Sequence, residues 1–316
     1  MAFFSLVRMA VFVSVGFLVS LPFSISYAAI AVLYPDIRDP YREVVTAIVA
    51  GIKQGATREI NFHVIDDNYD RDALREVLLR QNTEVVIALG RGGFAAAQEL
   101  KLNRPVVVGA LIIAPEDVSS GISGISLAAD PDLLFARLKA ILPDIKKVSV
   151  VYNRAHSEWL VSLGQSAAKR HGVRLLAYPV EDSRGAAKVY RDILANSRQA
   201  SDAIWLLPDA TVVEDRVILP LILKGAWDNY LAVFSSNPAH VKRGALFSLF
   251  PDNKAMGVSL VKRAQRVLTE TANGSASSIE PLSDLHAALN TRTADHLGLV
   301  ISIEQQREFA LIFPAP

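Results

Sequence analysis

From residue 29 onward, short runs of β-branched and apolar residues alternate with longer stretches whose apolar side chains recur every three or four positions. That rhythm suits parallel strands joined by crossover helices, with both faces of the sheet covered. Residues 29–34 read as a strand. Residues 41–57 read as a helix with Val44, Val45, Ile48, Val49 and Ile52 on one face. Strands at 61–65, 84–89 and 105–111 follow, interleaved with helices at 71–81 and 92–100.

The rhythm then restarts. Asp130 and Pro131 supply an N-cap and a first helical residue for a helix running to 142. Strands at 147–152, 173–180, 202–207 and 231–235 alternate with helices at 157–170, 183–197 and 211–226. Gly172 closes the first of these helices, and Pro220 is expected to kink or split the last. A strand at 245–250 and a helix at 253–270 follow, and a final segment holds residues 285–289 and a short helix near 291–297. The tail beyond 231 holds more structure than the second run needs, so it is expected to return and complete the first lobe. The polar stretch 271–278 reads as an exposed loop. The fold class is therefore α/β, with two doubly wound parallel-sheet lobes and a junction near 121–130.

Ahead of the first strand lie an early Arg8 and an apolar run from Met9 to Phe23. Small residues follow at Ser26 and Ala28, at the spacing of a signal-peptidase site. Residues 1–28 are expected to be a signal peptide cut after Ala28. The run falls short of the ~20 residues that span a bilayer. The chain has no cysteine, so neither disulfides nor a lipid-carrying cysteine enter the picture. An unanchored exported protein is retained only inside a second membrane, so the expected location is a Gram-negative periplasm. The formal net charge is only +1 and there is no basic block, which gives no electrostatic case for nucleic acid.

Ligands of open parallel sheets bind beyond the carboxyl ends of the strands, and five loops qualify. The first contains Tyr34 and Asp36; a ligand wall and a capped turn at Asp39-Pro40 both stand. The second, Gly90-Arg91-Gly92-Gly93-Phe94-Ala95, matches G-x-G-x-x-A. However, it follows the third strand, and the next strand ends without an acid, against a dinucleotide site. Amides at a helix start bind anions, and Arg91 can add a bidentate contact; a glycine turn with a solvated Arg91 is the alternative. The third loop carries Tyr152, Asn153 and Trp159, the last either a stacking platform or core. The fourth carries Asp209, a partner for an ammonium group or an N-cap. The fifth holds Ser235 and Ser236. Residues 66–70 are acidic, but Arg71 stands where a calcium loop needs glycine, so a solvated turn is expected. No catalytic constellation, metal motif or cofactor motif occurs, and no enzyme activity is expected.

Several stretches also fall in a familiar order: Gly121-Ile122-Ser123-Gly124-Ile125, Val151-Tyr152-Asn153, Leu207-Pro208-Asp209, Gly244-Ala245-Leu246, and Asn290-Thr291-Arg292-Thr293-Ala294-Asp295-His296-Leu297-Gly298-Leu299. This order resembles a branch of the periplasmic solute-binding proteins of ABC importers that includes tryptophan- and aromatic-amino-acid-binding members. The resemblance implies a type I periplasmic-binding-protein fold, with the ligand in a cleft between two lobes joined by three crossings. It places the crossings near 127, 232 and 275–283. The lobes would then comprise 29–126 plus 232–274, and 127–231 plus 275–316. It also implies that Gly92, Gly93 and Phe94 meet a ligand carboxylate and that Asp209 meets an amino group. Arg91 stands where the branch commonly has a small hydroxylated residue. The expected partners are a small polar ligand and a membrane permease; a ligand-sensing partner of a membrane signalling receptor is the alternative.

Overall fold

At residues 85–89 every side chain is at most 1% exposed. A strand so apolar on both faces is stable only in the middle of a covered sheet, and the computed structural model of the protein has two such sheets. The structure describes residues 29–36, 42–197, 201–270 and 278–314. The expected signal peptide at 1–28, the Asp39-Pro40 turn and residues 271–277 of the polar stretch lie outside them.

The first sheet begins with β1 (Ala29–Pro35), α1 (Arg42–Gly55), β2 (Ile60–Ile65), α2 (Arg71–Arg80), β3 (Thr83–Leu89), α3 (Gly90–Leu100), β4 (Val106–Gly109) and β5 (Ile122–Ala129). The chain then builds α4 (Pro131–Ile141), β6 (Lys147–Tyr152), α5 (Arg154–Arg170), β7 (Arg174–Pro179), α6 (Ser183–Asn196), β8 (Asp202–Leu206), α7 (Ile218–Asp228), β9 (Ala232–Ser235), α8 (Pro238–Lys242) and β10 (Phe247–Pro251). Helix α9 (Asn253–Glu270) and β11 (Ile279–Leu282) rejoin the first lobe. Next come β12 (Leu285–Asn290), α10 (Thr291–His296), α11 (Ile303–Gln306) and β13 (Leu311–Phe313), which finish the second lobe.

The sheet orders are β11-β5-β4-β3-β1-β2 and β13-β12-β10-β9-β8-β6-β7. The first is parallel throughout; in the second only the β10–β12 pair is antiparallel. Each lobe thus repeats one doubly wound order, second-first-third-fourth-fifth, which reverses beside its first strand. The α/β, two-lobed, doubly wound expectation holds.

The crossings need correcting. The first falls at Asp130, three residues beyond the expected 127. The return expected near 232 does not occur there, because β9 and β10 stay in the second sheet, Ala232 beside Ala203 and Phe247 beside Phe234. The chain leaves only after Pro251 and comes back between Leu282 and Leu285. By sheet membership the first lobe therefore takes 29–129 and 253–282, and the second 131–251 and 285–313. The physical reason is aromatic packing. Phe234 stacks between Trp205 at 6.4 Å and Phe247 at 5.2 Å, with Phe135 edge-on at 6.1 Å. That layer needs β9 and β10 beside β8. The crossing segments brace one another: the Asp130 N–H donates to the Leu282 carbonyl and the Asp252 N–H to the Asp284 carbonyl, both at 2.9 Å.

Helix α9 is fastened to the first lobe by glycines. A Cβ on Gly51 would meet the Lys254 carbonyl oxygen at 1.9 Å, and one on Gly257 the Ile48 oxygen at 2.1 Å. Only bare backbones allow α1 and α9 to cross this closely. The helix expected at 211–226 starts late, at Ile218, after a run of turns. Pro220 lies in its first turn, where no intrahelical N–H bond is lost, so it neither kinks nor splits the helix.

Candidate functional site

Both strand-order reversals bring the loops singled out in the sequence to one end of each sheet. In the first lobe the reversal lies between β1 and β3. Gly90 adopts φ +66°, a left-handed turn that swings the chain from β3 into α3. The first-turn amides of α3 have no intrahelical acceptor and no side-chain cap. Arg91 and Gly92 are exposed at this point. Gly93 is buried, and a Cβ there would lie 2.4 Å from the Leu33 oxygen. Its missing side chain is thus explained by helix–strand packing. Phe94 is half-buried between two hydrophobic clusters of the first lobe. Tyr34 packs edge-on to Phe62 at 6.4 Å, within the core cluster that also holds α9 residues. Asp36 is exposed, and its N–H donates to the Ile65 carbonyl at 3.1 Å.

In the second lobe the reversal lies between β6 and β8. Asn153 caps α5 by accepting from the Ala155 N–H at 2.9 Å, and its amide donates to the Glu181 carbonyl at 2.9 Å. Tyr152 is buried, with its hydroxyl 3.2 Å from Glu158. Burial, and then the Glu158 charge, raise the phenol's pKa. Asp209 is 8% exposed. One carboxylate oxygen accepts from the Thr211 N–H at 2.9 Å, and the other lies 3.3 Å from the Ser157 hydroxyl. Asp209 thus caps a turn and keeps its carboxylate buried at the sheet end.

Asp209 and Ser236 line a cavity of ≈ 280 Å³ with Pro208, Asp215, Asn237 and His240. Ser235, fully buried beneath it, ties its hydroxyl to the Asn237 backbone at 3.1 Å. Of the expected second-lobe residues, this cavity gathers Asp209 and Ser236; Tyr152 and Asn153 end the neighbouring strand.

The sequence reading missed His240. It is 6% exposed, its Nε2 lies 3.5 Å from Asn237 Nδ2 and 3.9 Å from Asp215, and its Nδ1 has no partner. Burial lowers its pKa, partly offset by Asp215. The signal was available: Asn237-Pro238 is a cap followed by a first helical proline, which aims the next turn at the sheet end.

Trp159 joins the halves. It projects from α5, packs on the second-lobe core, and also packs on the first-lobe cluster of Val108, Ile113, Ile122 and Ile279. The acidic turn at 66–70 is a local structure, with Asp66 accepting from the Asn68 N–H and Asp70 capping α2. Among the described residues no cluster of metal-ligating side chains occurs, and no helix is long and apolar enough to cross a membrane.

Residues 45–306 match the model of a family described as ABC transporter substrate binding protein. No curated protein matches the chain. Among solved structures, the complex of an ABC domain with L-Trp from Streptococcus pneumoniae is 18% identical, with a TM-score of 0.54 over 90% of this chain and 99% of that one. A ligand-free, open substrate binding protein with adhesive properties from Clostridium difficile is 16% identical, with a TM-score of 0.60 over 90% and 98%. A conserved domain protein from Vibrio cholerae is 19% identical, with a TM-score of 0.52 over 90% and 99%. At these identities the likeness is one of fold.

Proposed function

The chain belongs to the ABC transporter substrate-binding protein family, and from that premise we propose that it captures a small polar solute between its lobes and delivers it to an importer permease. The solute class is an amino acid or another small carboxylate, and the compartment is the periplasm. The observation that carries this reading is the buried Asp209 carboxylate at the strand-order reversal of the second lobe, bordering the ≈ 280 Å³ cavity. A carboxylate at that place suits an ammonium group. The uncapped start of α3, with Arg91 beside it, suits a carboxylate on the other lobe. A zwitterion bridging the two satisfies both at once. The L-Trp complex of the pneumococcal fold relative fits the same pairing of charges.

Capture works by differential binding. A ligand held by one lobe gains contacts to the other only when the lobes approach, so it shifts the protein toward the closed state. The three braced crossings act as the hinge, and Trp159, packed on both lobes, moves with it. A micromolar ligand requires about 8 kcal/mol, a scale reached by a few charge-assisted hydrogen bonds plus apolar contact.

The test is a thermal-shift screen of amino acids and small carboxylates. A ligand at 100 times its Kd adds about 2.7 kcal/mol to stability. A raised melting temperature for a subset of the panel is expected, and a flat response across the whole panel refutes the reading.

A further inference from the structure

A second concavity of the second lobe is lined by residues of α7, the end of α8 and the chain leading into β10, and it meets the Asp209 cavity at the Arg243–Asp215 ion pair. It measures ≈ 800 Å³. Gly244, which leads into β10, and Asn290, which ends the antiparallel β12, both line it, so it lies beside the start of β10. No carboxylate borders it, whereas Lys224, Lys242, Arg243 and Arg292 do. The formal net charge of the chain is only +1, so this local excess does not reflect a generally basic surface.

Two of these cations are neutralised. Lys224 pairs with Asp228 at 2.5 Å and Arg243 with Asp215 at 3.2 Å. Lys242 and Arg292 make no ion pair among the described residues. Arg292 is held differently: its guanidinium carbon lies 5.6 Å from the Trp227 ring centre. Trp227 stacks with His296 at 3.6 Å, and His296 stacks with Tyr230 at 4.4 Å. His296 Nε2 also lies 2.9 Å from the Trp227 carbonyl oxygen. A guanidinium fixed over a ring keeps its edge N–H donors free for an anion.

The rim is rigid. The Asn290 amide donates to the Val241 carbonyl at 2.7 Å and accepts from the Thr293 N–H at 2.9 Å. The Thr293 hydroxyl donates to the Gly244 carbonyl at 3.1 Å. The remaining wall is apolar, made by Pro220, Leu223 and Phe313.

We propose that this concavity is a second binding site, for an amphiphilic anion with a phosphate or carboxylate head and a short apolar body. The head sits between Lys242 and Arg292, and the body lies along Pro220, Leu223 and Phe313. The site is a cavity distinct from the one at Asp209.

Isothermal titration of the full chain with hexyl phosphate tests it, with inorganic phosphate run alongside. Saturable single-site binding, at least tenfold tighter than inorganic phosphate, is expected. The Lys242→Ala/Arg292→Gln double variant should weaken hexyl phosphate at least tenfold. Both side chains are exposed, so the variant should keep the wild-type melting temperature. Asp209→Ala should leave this binding unchanged, which separates failure here from failure of the cleft reading. Absence of saturable binding, equal affinity for the two phosphates, or full affinity in the double variant would each overturn the proposal. A sedimentation arm with phosphatidylglycerol and phosphatidylcholine vesicles assigns the source. Pelleting with the anionic vesicles alone points to lipid headgroups. No pelleting, with hexyl phosphate still bound, points to a soluble anion. Either result keeps the site.

Discussion

The Ser157 hydroxyl donates to the Asp209 carboxylate at 3.3 Å, across the point where the strand order of the second sheet reverses. Ser157 comes from the helix after β6 and Asp209 from the loop after β8. Their contact therefore ties together the two segments that frame the second-lobe half of the cleft. Asp209→Ala removes this bond and the cap on Thr211, and should cost about 1–2 kcal/mol of stability. Asp209→Asn keeps the acceptor oxygen and the shape, so its loss of stability should be smaller. Both should lose solute binding by at least tenfold, since only the charge answers an ammonium group. Urea unfolding beside ligand titration separates these effects.

Arg91 offers a cleaner separation of binding from folding. It is exposed, and its loss should leave the urea midpoint unchanged. If its guanidinium clamps a ligand carboxylate, Arg91→Ala should cost on the order of 2–4 kcal/mol of binding. A loss below ~0.5 kcal/mol assigns it to solvent.

Glycine substitutions test the packing on which the first lobe depends. Gly93→Ala and Gly257→Ala drive a Cβ to within 2.4 Å and 2.1 Å of carbonyl oxygens that belong to packed backbone. Each should cost on the order of 1–3 kcal/mol, as overpacking does. Gly185→Ala is the control. Its nearest contact would be Asp182 at 3.4 Å, and it lies in a helix. It should be neutral, or stabilising by up to about 1 kcal/mol.

Acid should weaken the fold through His240. Burial holds its pKa below the ordinary 6.5 in the native state, with Asp215 pulling it up and Arg243 pushing it down. The unfolded chain then binds more protons, so this contribution is fully present above pH 6.5 and is lost as the pH falls through the native value. His63, also lowered by burial, acts in the same direction. Between pH 7.5 and pH 5, His240→Gln should lose less unfolding free energy than the wild type. Equal losses would remove His240 from the acid response.

Much of the architecture was legible because buried parallel strands are written as unbroken apolar runs. Residues 85–89 form such a run, and 147–152 come close to one through Val148, Val150, Val151 and Tyr152. What stayed hidden depends on contacts between distant segments. Nothing local in Ala232–Ser235 says which lobe it joins; the Trp205–Phe234–Phe247 layer decides that, and its members are spread over the chain. At the site, Asp209 and Ser236 were legible from their places after strands. His240 reaches the same cavity from one turn inside α8, and only the Asn237-Pro238 cap ahead of it marked the place. Gly93 was given a ligand contact by the family resemblance, which does not reveal that the Leu33 carbonyl occupies the space of its missing side chain.

Native mass spectrometry of the protein purified from its native host tests solute capture most directly. The wild type should carry a single small polar adduct per chain, and Asp209→Ala should carry none. A wild-type protein that shows no adduct, either as purified or after incubation with amino acids and small carboxylates, would contradict capture in the cleft.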